Sequence, residues 1–199
     1  MQLLSPGDPP PFSVVNEKGT APLMLLCDHA SKAIPKALGD LGITEEELSR
    51  HIGWDIGGLD AAIELSKILD APLVASGYSR LVIDCNRWPG GEGSTPEVSD
   101  KVPIPANRGL TKEQVDARAA ACFWPYHQEV DRQLDRMTAD GRKVGLALYR
   151  HVRDAEIQRL QASGAGGAHL AEAREILDGL VETETYVEFL TYDAYRRLE

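Results

Sequence analysis

The chain has 199 residues, 43% of them hydrophobic and 26% charged, with a formal net charge of -10 at pH 7. These values are typical of a globular protein of one domain, and the acidic balance argues against nucleic acid as a partner. No apolar run reaches the ~20 residues of a membrane span, the first residues lack the features of a signal peptide, and the three cysteines form no CxxC pair. We therefore expect a cytoplasmic monomer or homodimer without membrane contact or disulfides.

The first half of the chain predicts short strands interspersed with helices. Prolines in residues 5–12 predict an extended lead-in. Thr44 precedes three glutamates, a pattern typical of a capped helix start. In chain order the predicted elements are an edge strand at 12–16, a strand at 23–27, a helix beginning at Thr44, a helix at 59–69, and strands at 71–76 and 81–85. These elements favour an α/β fold.

The second half of the chain begins with a long loop and ends in helices. Residues 89–109 are rich in proline and glycine, and a loop of this length in a compact domain is usually functional or mobile. Thr111 is a candidate cap for a helix that we expect to reach about Met137. In chain order, the remaining predictions are a strand at 144–149, helices at 152–162 and 168–181, and a short helix near Asp193.

Residues 23–35 are the stretch around which the predicted fold is organised. The apolar run 23–27 ends abruptly in Asp28, His29 and Ser31. An uninterrupted apolar run is typical of a strand buried on both faces, and α/β sheets bind ligands beyond the carboxyl ends of such strands. These polar side chains are therefore candidate site residues. The alternative is a polar turn in which Ser31 caps the next helix.

Polar side chains in two further loops complete a candidate constellation. Asp55 lies in a glycine-rich turn, and Asn86 and Arg87 follow the predicted strand at 81–85. Histidine and carboxylate are zinc ligands, and the guanidinium of arginine binds a carboxylate through two hydrogen bonds. His29 and Asp55 therefore predict part of a metal site, with Arg87 as a substrate-carboxylate contact. The alternatives are that Asp55 caps the helix after it and that Arg87 pairs with a carboxylate of the fold.

Four segments carry a resemblance to a known family. LLCDHASKAIP, HIGWDIGG, SRLVIDCNRWP and VPIPANRGL occur in this order, and together they resemble the N-formylglutamate amidohydrolase family over about residues 12–145. The resemblance implies a three-layer αβα fold of the phosphorylase/hydrolase type with a small, mostly parallel central sheet. It also implies a zinc-dependent hydrolase that cleaves N-formyl-L-glutamate to formate and glutamate in histidine degradation.

The resemblance also implies roles for individual residues. His29 and Asp55 correspond to metal ligands of the family and are the predicted catalytic pair. In the family, the strand after the long helix ends in a His-Ser segment that gives the third metal ligand, and about a hundred residues follow. Here the sequence departs from that pattern, and His151 is the nearest candidate for the third ligand, with His127 as the alternative. The predicted substrate-binding residues are polar or cationic: Ser31, Arg80, Asn86 and Arg87.

The end of the chain resembles a different protein. ALYRHVRDAEIQRL and the segment from 171 to 198 are similar to the C-terminal helical end of malate synthase, over about residues 147–199. This second resemblance implies helices without catalytic residues. We therefore predict an α/β amidohydrolase-like domain at 1–149, incomplete relative to the family, and a helical tail at 150–199 packed on the same domain.

Two functions follow as hypotheses. The favoured one is a zinc-dependent amidohydrolase acting on the amide of an N-formyl or N-acyl acidic amino acid, whose carboxylate makes the substrate a small-molecule partner. The alternative is an inactive protein that keeps the fold and binds a small carboxylate. It would lack the third metal ligand and the general base.

Overall fold

The computed structural model describes residues 3–137, 146–164 and 167–183. The chain divides into two compact units, residues 1–137 and 138–199, and each is described by itself. The predicted division into 1–149 and 150–199 stays a prediction. The described residues form a mixed α/β structure with small sheets and several helices, in agreement with the predicted fold class. Within the described residues, no helix is long and apolar enough to cross a membrane.

The main sheet has three strands, β1 (Phe12–Val15), β2 (Leu25–Cys27) and β3 (Leu73–Ser76), in the order β1-β3-β2. The β2–β3 pair is parallel and the β1–β3 pair is antiparallel. All four residues of β3 are buried. The strand buried on both faces is therefore β3.

The expectation that residues 23–27 form the doubly buried strand is wrong. Leu26 is 49% exposed and Leu23 is 41% exposed, and within the described residues β2 pairs on one side alone. An apolar run indicates burial but does not fix which strand acquires two neighbours, since pairing depends on the order of strands in the sheet.

The predicted strand at 81–85 is also wrong, although its apolar residues are buried. Leu81 and Val82 are fully buried in turns, and their carbonyl groups accept hydrogen bonds from side chains. Asn107 Nδ2 donates to Leu81 O at 2.9 Å, and Arg118 Nη1 donates to Val82 O at 3.0 Å. Side chains thus satisfy backbone groups that a sheet ladder would otherwise pair.

Four helices and a two-stranded sheet complete the first unit: α1 (Glu45–Leu48), α2 (Gly58–Leu69), α3 (Lys112–Arg118) and α4 (Trp124–Met137), with β4 (Val98–Ser99) pairing β5 (Val102–Pro103). The predicted N-caps Thr44 and Thr111 are both confirmed, and each forms a capping box. A π-helical segment, Ala119–Phe123, joins α3 to α4 just before Pro125. Proline has no N–H for an i→i−4 bond, and a π-bulge accommodates that loss without ending the helix.

The second unit contains α5 (Leu146–Ser163) and α6 (Leu170–Val181). Both helices are predicted by sequence, but α5 includes residues 146–149, so the predicted strand there is wrong. Short apolar runs do not distinguish a strand from a helix by periodicity. Residues 144 and 145 and the helix predicted near Asp193 lie outside the described residues.

Candidate active site

The candidate site begins directly after β2, where the chain turns through Asp28 and His29. The phenol of Tyr126, which is fully buried on α4, donates to Asp28 Oδ1 at 2.6 Å. The backbone N–H of Asp55 donates to the His29 carbonyl at 3.0 Å. These two hydrogen bonds hold the loop of His29 against α4 on one side and against the glycine-rich turn of Asp55 on the other.

The His29 imidazole lies between two carboxylates. Its Nε2 is 2.7 Å from Asp84 Oδ1, and its Nδ1 is 3.3 Å from Asp55 Oδ2. His29 is 8% exposed and Asp84 is 2% exposed, whereas the Asp55 side chain is 57% exposed. The imidazole is thus anchored on its buried side by Asp84 and faces Asp55 on its open side.

The two carboxylates set the protonation of His29. Burial alone would lower the pKa of His29, but the hydrogen bond and charge of Asp84, with a further contribution from Asp55, outweigh it and raise the pKa. Burial likewise opposes ionisation of Asp84, yet the hydrogen bond and charge of His29 lower its pKa. In the absence of a metal, the arrangement therefore favours an imidazolium between two carboxylates.

Arg80 contacts both of these carboxylates, and Arg87 contacts Asp84. Arg80 Nη2 is 3.1 Å from Asp84 Oδ2, and Arg80 Nη1 is 3.6 Å from Asp55 Oδ1. Arg87 Nε is 3.8 Å from Asp84 Oδ2, and the backbone N–H of Asn86 donates to Asp84 Oδ1 at 2.9 Å. Asp84 is therefore the centre of the cluster, because it contacts His29 and both arginines.

Sequence reasoning missed Asp84 as a site residue. It was assigned to a strand, although it is the one charged residue that interrupts the apolar run 81–85. A carboxylate at that place, two residues before an Asn-Arg pair, was the available signal. Its burial and its contact with His29 depend on the tertiary structure.

The structure brings His29, Asp55, Arg80 and Arg87 to this cluster, but it places other predicted residues differently. Ser31 Oγ accepts a hydrogen bond from the Ala33 N–H at 3.0 Å, in a local turn. His151 lies on α5 in the second unit, where it is exposed. Its predicted role as a third metal ligand stays a prediction.

The His29–Asp55 pair has the spacing of two ligands on one zinc ion. Ligands at ~2.0–2.1 Å from a tetrahedral zinc are about 3.3 Å from each other, close to the 3.3 Å between His29 Nδ1 and Asp55 Oδ2. Metal-bound histidines usually donate their other ring N–H to a carboxylate, as His29 is placed to do with Asp84. Within residues 3–137, 146–164 and 167–183, however, no group of three or more His, Cys, Asp or Glu side chains is placed to hold a metal.

Comparisons with known proteins agree with the resemblance. The profile of the family described as N-formylglutamate amidohydrolase matches residues 21–171. A crystal structure of a gene product from Agrobacterium tumefaciens is 36% identical with a TM-score of 0.68, over 71% of this chain and 56% of that one. Malate synthase from Myxococcus xanthus is 44% identical over 64 residues, which are 30% of this chain and 12% of that protein. The chain therefore spans just over half of the solved relative and a small part of the malate synthase.

Proposed function

We propose that this chain, which belongs to the N-formylglutamate amidohydrolase family, is a metal-dependent hydrolase of the amide in an N-formyl or N-acyl acidic amino acid. N-formyl-L-glutamate is the first substrate to test. We also propose that the described elements belong to the three-layer αβα arrangement that the family resemblance implies, with α5 and α6 as the helical tail.

The observation that carries the proposal is the geometry around His29. Its Nδ1 lies at ligand–ligand distance from Asp55 Oδ2, while its Nε2 is held by the buried carboxylate of Asp84. A bound metal would lower the pKa of its water toward ~7 and polarise the amide carbonyl. A catalytic zinc site has three protein ligands, and the described residues supply two of them, His29 and Asp55. We therefore assign no reaction step to the metal.

The residues around the pair have separate roles in this proposal. Asp84 orients the His29 imidazole and holds Arg80 beside Asp55. Arg87 is partly exposed, and with Asn86 it would bind the carboxylate of the substrate. Ser31 is a further candidate for contact with substrate. His151 is retained as the candidate third ligand from the second unit.

A second candidate function is favoured because the described residues supply only two metal ligands, His29 and Asp55. Without a metal, His29, whose pKa the neighbouring carboxylates raise, and two arginines surround Asp55 and Asp84, and these cationic groups could hold a small anion. In that case the chain binds a small carboxylate such as glutamate without turnover. The two candidates differ in metal content and in formate release.

The test combines metal analysis with an activity assay. Purified protein is analysed for zinc by plasma mass spectrometry and incubated with N-formyl-L-glutamate, and formate is quantified. The proposal expects near-stoichiometric zinc, formate release, and loss of both in His29→Ala. His51→Ala is the matched control, because His51 lies on an exposed loop beside Asp100 and should leave both readouts unchanged.

Two results would contradict the proposal in different ways. Wild-type protein without zinc and without formate release, but with glutamate binding by calorimetry, would establish the second candidate. Zinc that persists in His29→Ala would show that the metal is held elsewhere in the chain.

A further inference from the structure

Within the described residues, a buried arginine outside the candidate active site has no acidic partner. Arg118, at the end of α3, is 3% exposed. Its Nη1 donates to Val82 O and to Asn107 Oδ1 at 3.0 and 2.7 Å, and its Nη2 donates to Ala106 O at 3.2 Å. Among residues 3–137, 146–164 and 167–183, no carboxylate lies within ion-pair distance of it. The acceptors are thus all neutral.

The charge of Arg118 is therefore only partly compensated. Burial lowers the pKa of this guanidinium, and a buried cation is costly unless a counter-charge accompanies it. Its Nε–H has no acceptor within the described part of the chain. The three hydrogen bonds to Val82, Asn107 and Ala106 hold the planar group in place, so little side-chain entropy remains to be lost when an anion binds.

A cavity of 510 Å³ lies against this arginine, a volume within the usual range for small-molecule sites. The other walls are mostly aliphatic: Leu3, Leu38, Leu110 and the alanines 37, 106 and 117. Glu113 and Gln114 also line the cavity and are exposed. The cavity therefore combines one fixed cation with an apolar wall, which are the two features that an amphipathic carboxylate requires.

We propose that the cavity against Arg118 binds a small monocarboxylate with an aliphatic tail. The carboxylate would accept a charge-assisted hydrogen bond from Arg118 Nε, and the tail would cover the leucine and alanine wall. This site is separate from the His29–Asp84 cluster and does not depend on the proposed amidohydrolase function. Glu113 opposes an anion here, so binding is expected to tighten when its charge is removed.

Octanoate is the probe, and isothermal calorimetry on the full chain is the measurement. Wild-type protein should bind octanoate at one site, and the neutral octanol about ten-fold or more weaker, because octanol lacks the charge that Arg118 recognises. Ala117→Leu fills the cavity without removing a hydrogen bond of Arg118, and it should weaken octanoate binding by about ten-fold or more. Glu113→Gln should strengthen it by about two- to five-fold.

Two control variants locate the site. Ala61→Leu, on the exposed surface of α2, should leave octanoate binding unchanged. Arg87→Met should also leave it unchanged, which separates this site from a carboxylate site beside Asp84. Loss of binding in Arg87→Met, equal binding of octanol, or unaltered binding in Ala117→Leu would each overturn the proposal.

Discussion

The two units of the chain are stabilised by different interactions. In the first unit, β3 and the segment 81–83 are buried among apolar side chains that form several clusters. In the second unit, neither α5 nor α6 contributes a buried residue. Burial of apolar area is the dominant favourable term in folding, so the first unit has a source of stability that the described part of the second lacks.

Charged side chains link the two helices of the second unit. Arg153 Nη1 lies 2.5 Å from Asp178 Oδ1, the Tyr149 phenol donates to the same carboxylate at 2.7 Å, and Arg150 pairs with Glu182. The Arg153 side chain is only 8% exposed, but the side chains of Asp178, Arg150 and Glu182 are 24%, 52% and 29% exposed. Ion pairs that water reaches contribute little and are screened by salt. The first unit also contains ion pairs, but its central one, His29–Asp84, is buried. Local stability is therefore expected to differ between the units.

The largest effect is expected from Asp84→Asn. Asparagine can keep a hydrogen bond to His29, but it removes the buried negative charge that faces His29 and Arg80, and breaking a buried pair costs about 3–5 kcal/mol. Urea unfolding monitored by tryptophan fluorescence measures the loss. Asp116→Asn is the control, because its pair with Lys112 is exposed. An equal loss in both variants would contradict a special role for the buried carboxylate.

A smaller loss is expected from a cavity in the sheet. Leu73 is fully buried on β3, and truncating a buried leucine to alanine costs about 2–5 kcal/mol. The matched control is Leu26→Ala on the neighbouring strand, where half of the side chain is exposed. Chemical denaturation of both variants checks the difference. Similar losses would mean that β2 is covered in solution.

Low pH should reduce the stability of the second unit, because it protonates carboxylates that form ion pairs there. Ion pairs and hydrogen bonds with Arg153, Tyr149 and Arg150 lower the pKa values of Asp178 and Glu182 in the folded state. The two carboxylates therefore contribute fully to folding stability when the pH is above their pKa values in the unfolded chain, about 3.9 and 4.3. This contribution is lost as the pH falls through their lower pKa values in the folded state. Cα chemical shifts of residues 146–163 should stay unchanged from neutral pH to about pH 4.3 and move toward coil values below it.

The smallest effect is expected from Asp178→Asn at neutral pH. The variant keeps the side-chain shape but removes the charge that Arg153 and Arg174 contact. Amide exchange in α5 and α6 should become slightly faster at low salt, and the difference should shrink at 1 M NaCl because salt already screens the pair. Unchanged exchange at both salt concentrations would show that packing, rather than charge, holds these helices.

Local signals in the sequence predicted the helices well. Thr44 and Thr111 were predicted as N-caps, and both form capping boxes whose partners lie three residues away in sequence. The long helical stretch from Lys112 to Met137 was predicted from the Thr111 cap, although the π-helical segment before Pro125 was not. Strand predictions at 81–85 and 146–149 failed because an apolar run reports burial without specifying the backbone conformation.

For this protein, the sequence alone determined the family, the starts of α1 and α3, and the candidate residues His29, Asp55, Arg80 and Arg87, because these follow from residue type and local order. Tertiary structure decided which strand is central and which carboxylate anchors the imidazole. His29 and Asp84 are 55 residues apart in sequence and 2.7 Å apart in space. Such a contact depends on how separate elements pack, which no local pattern encodes.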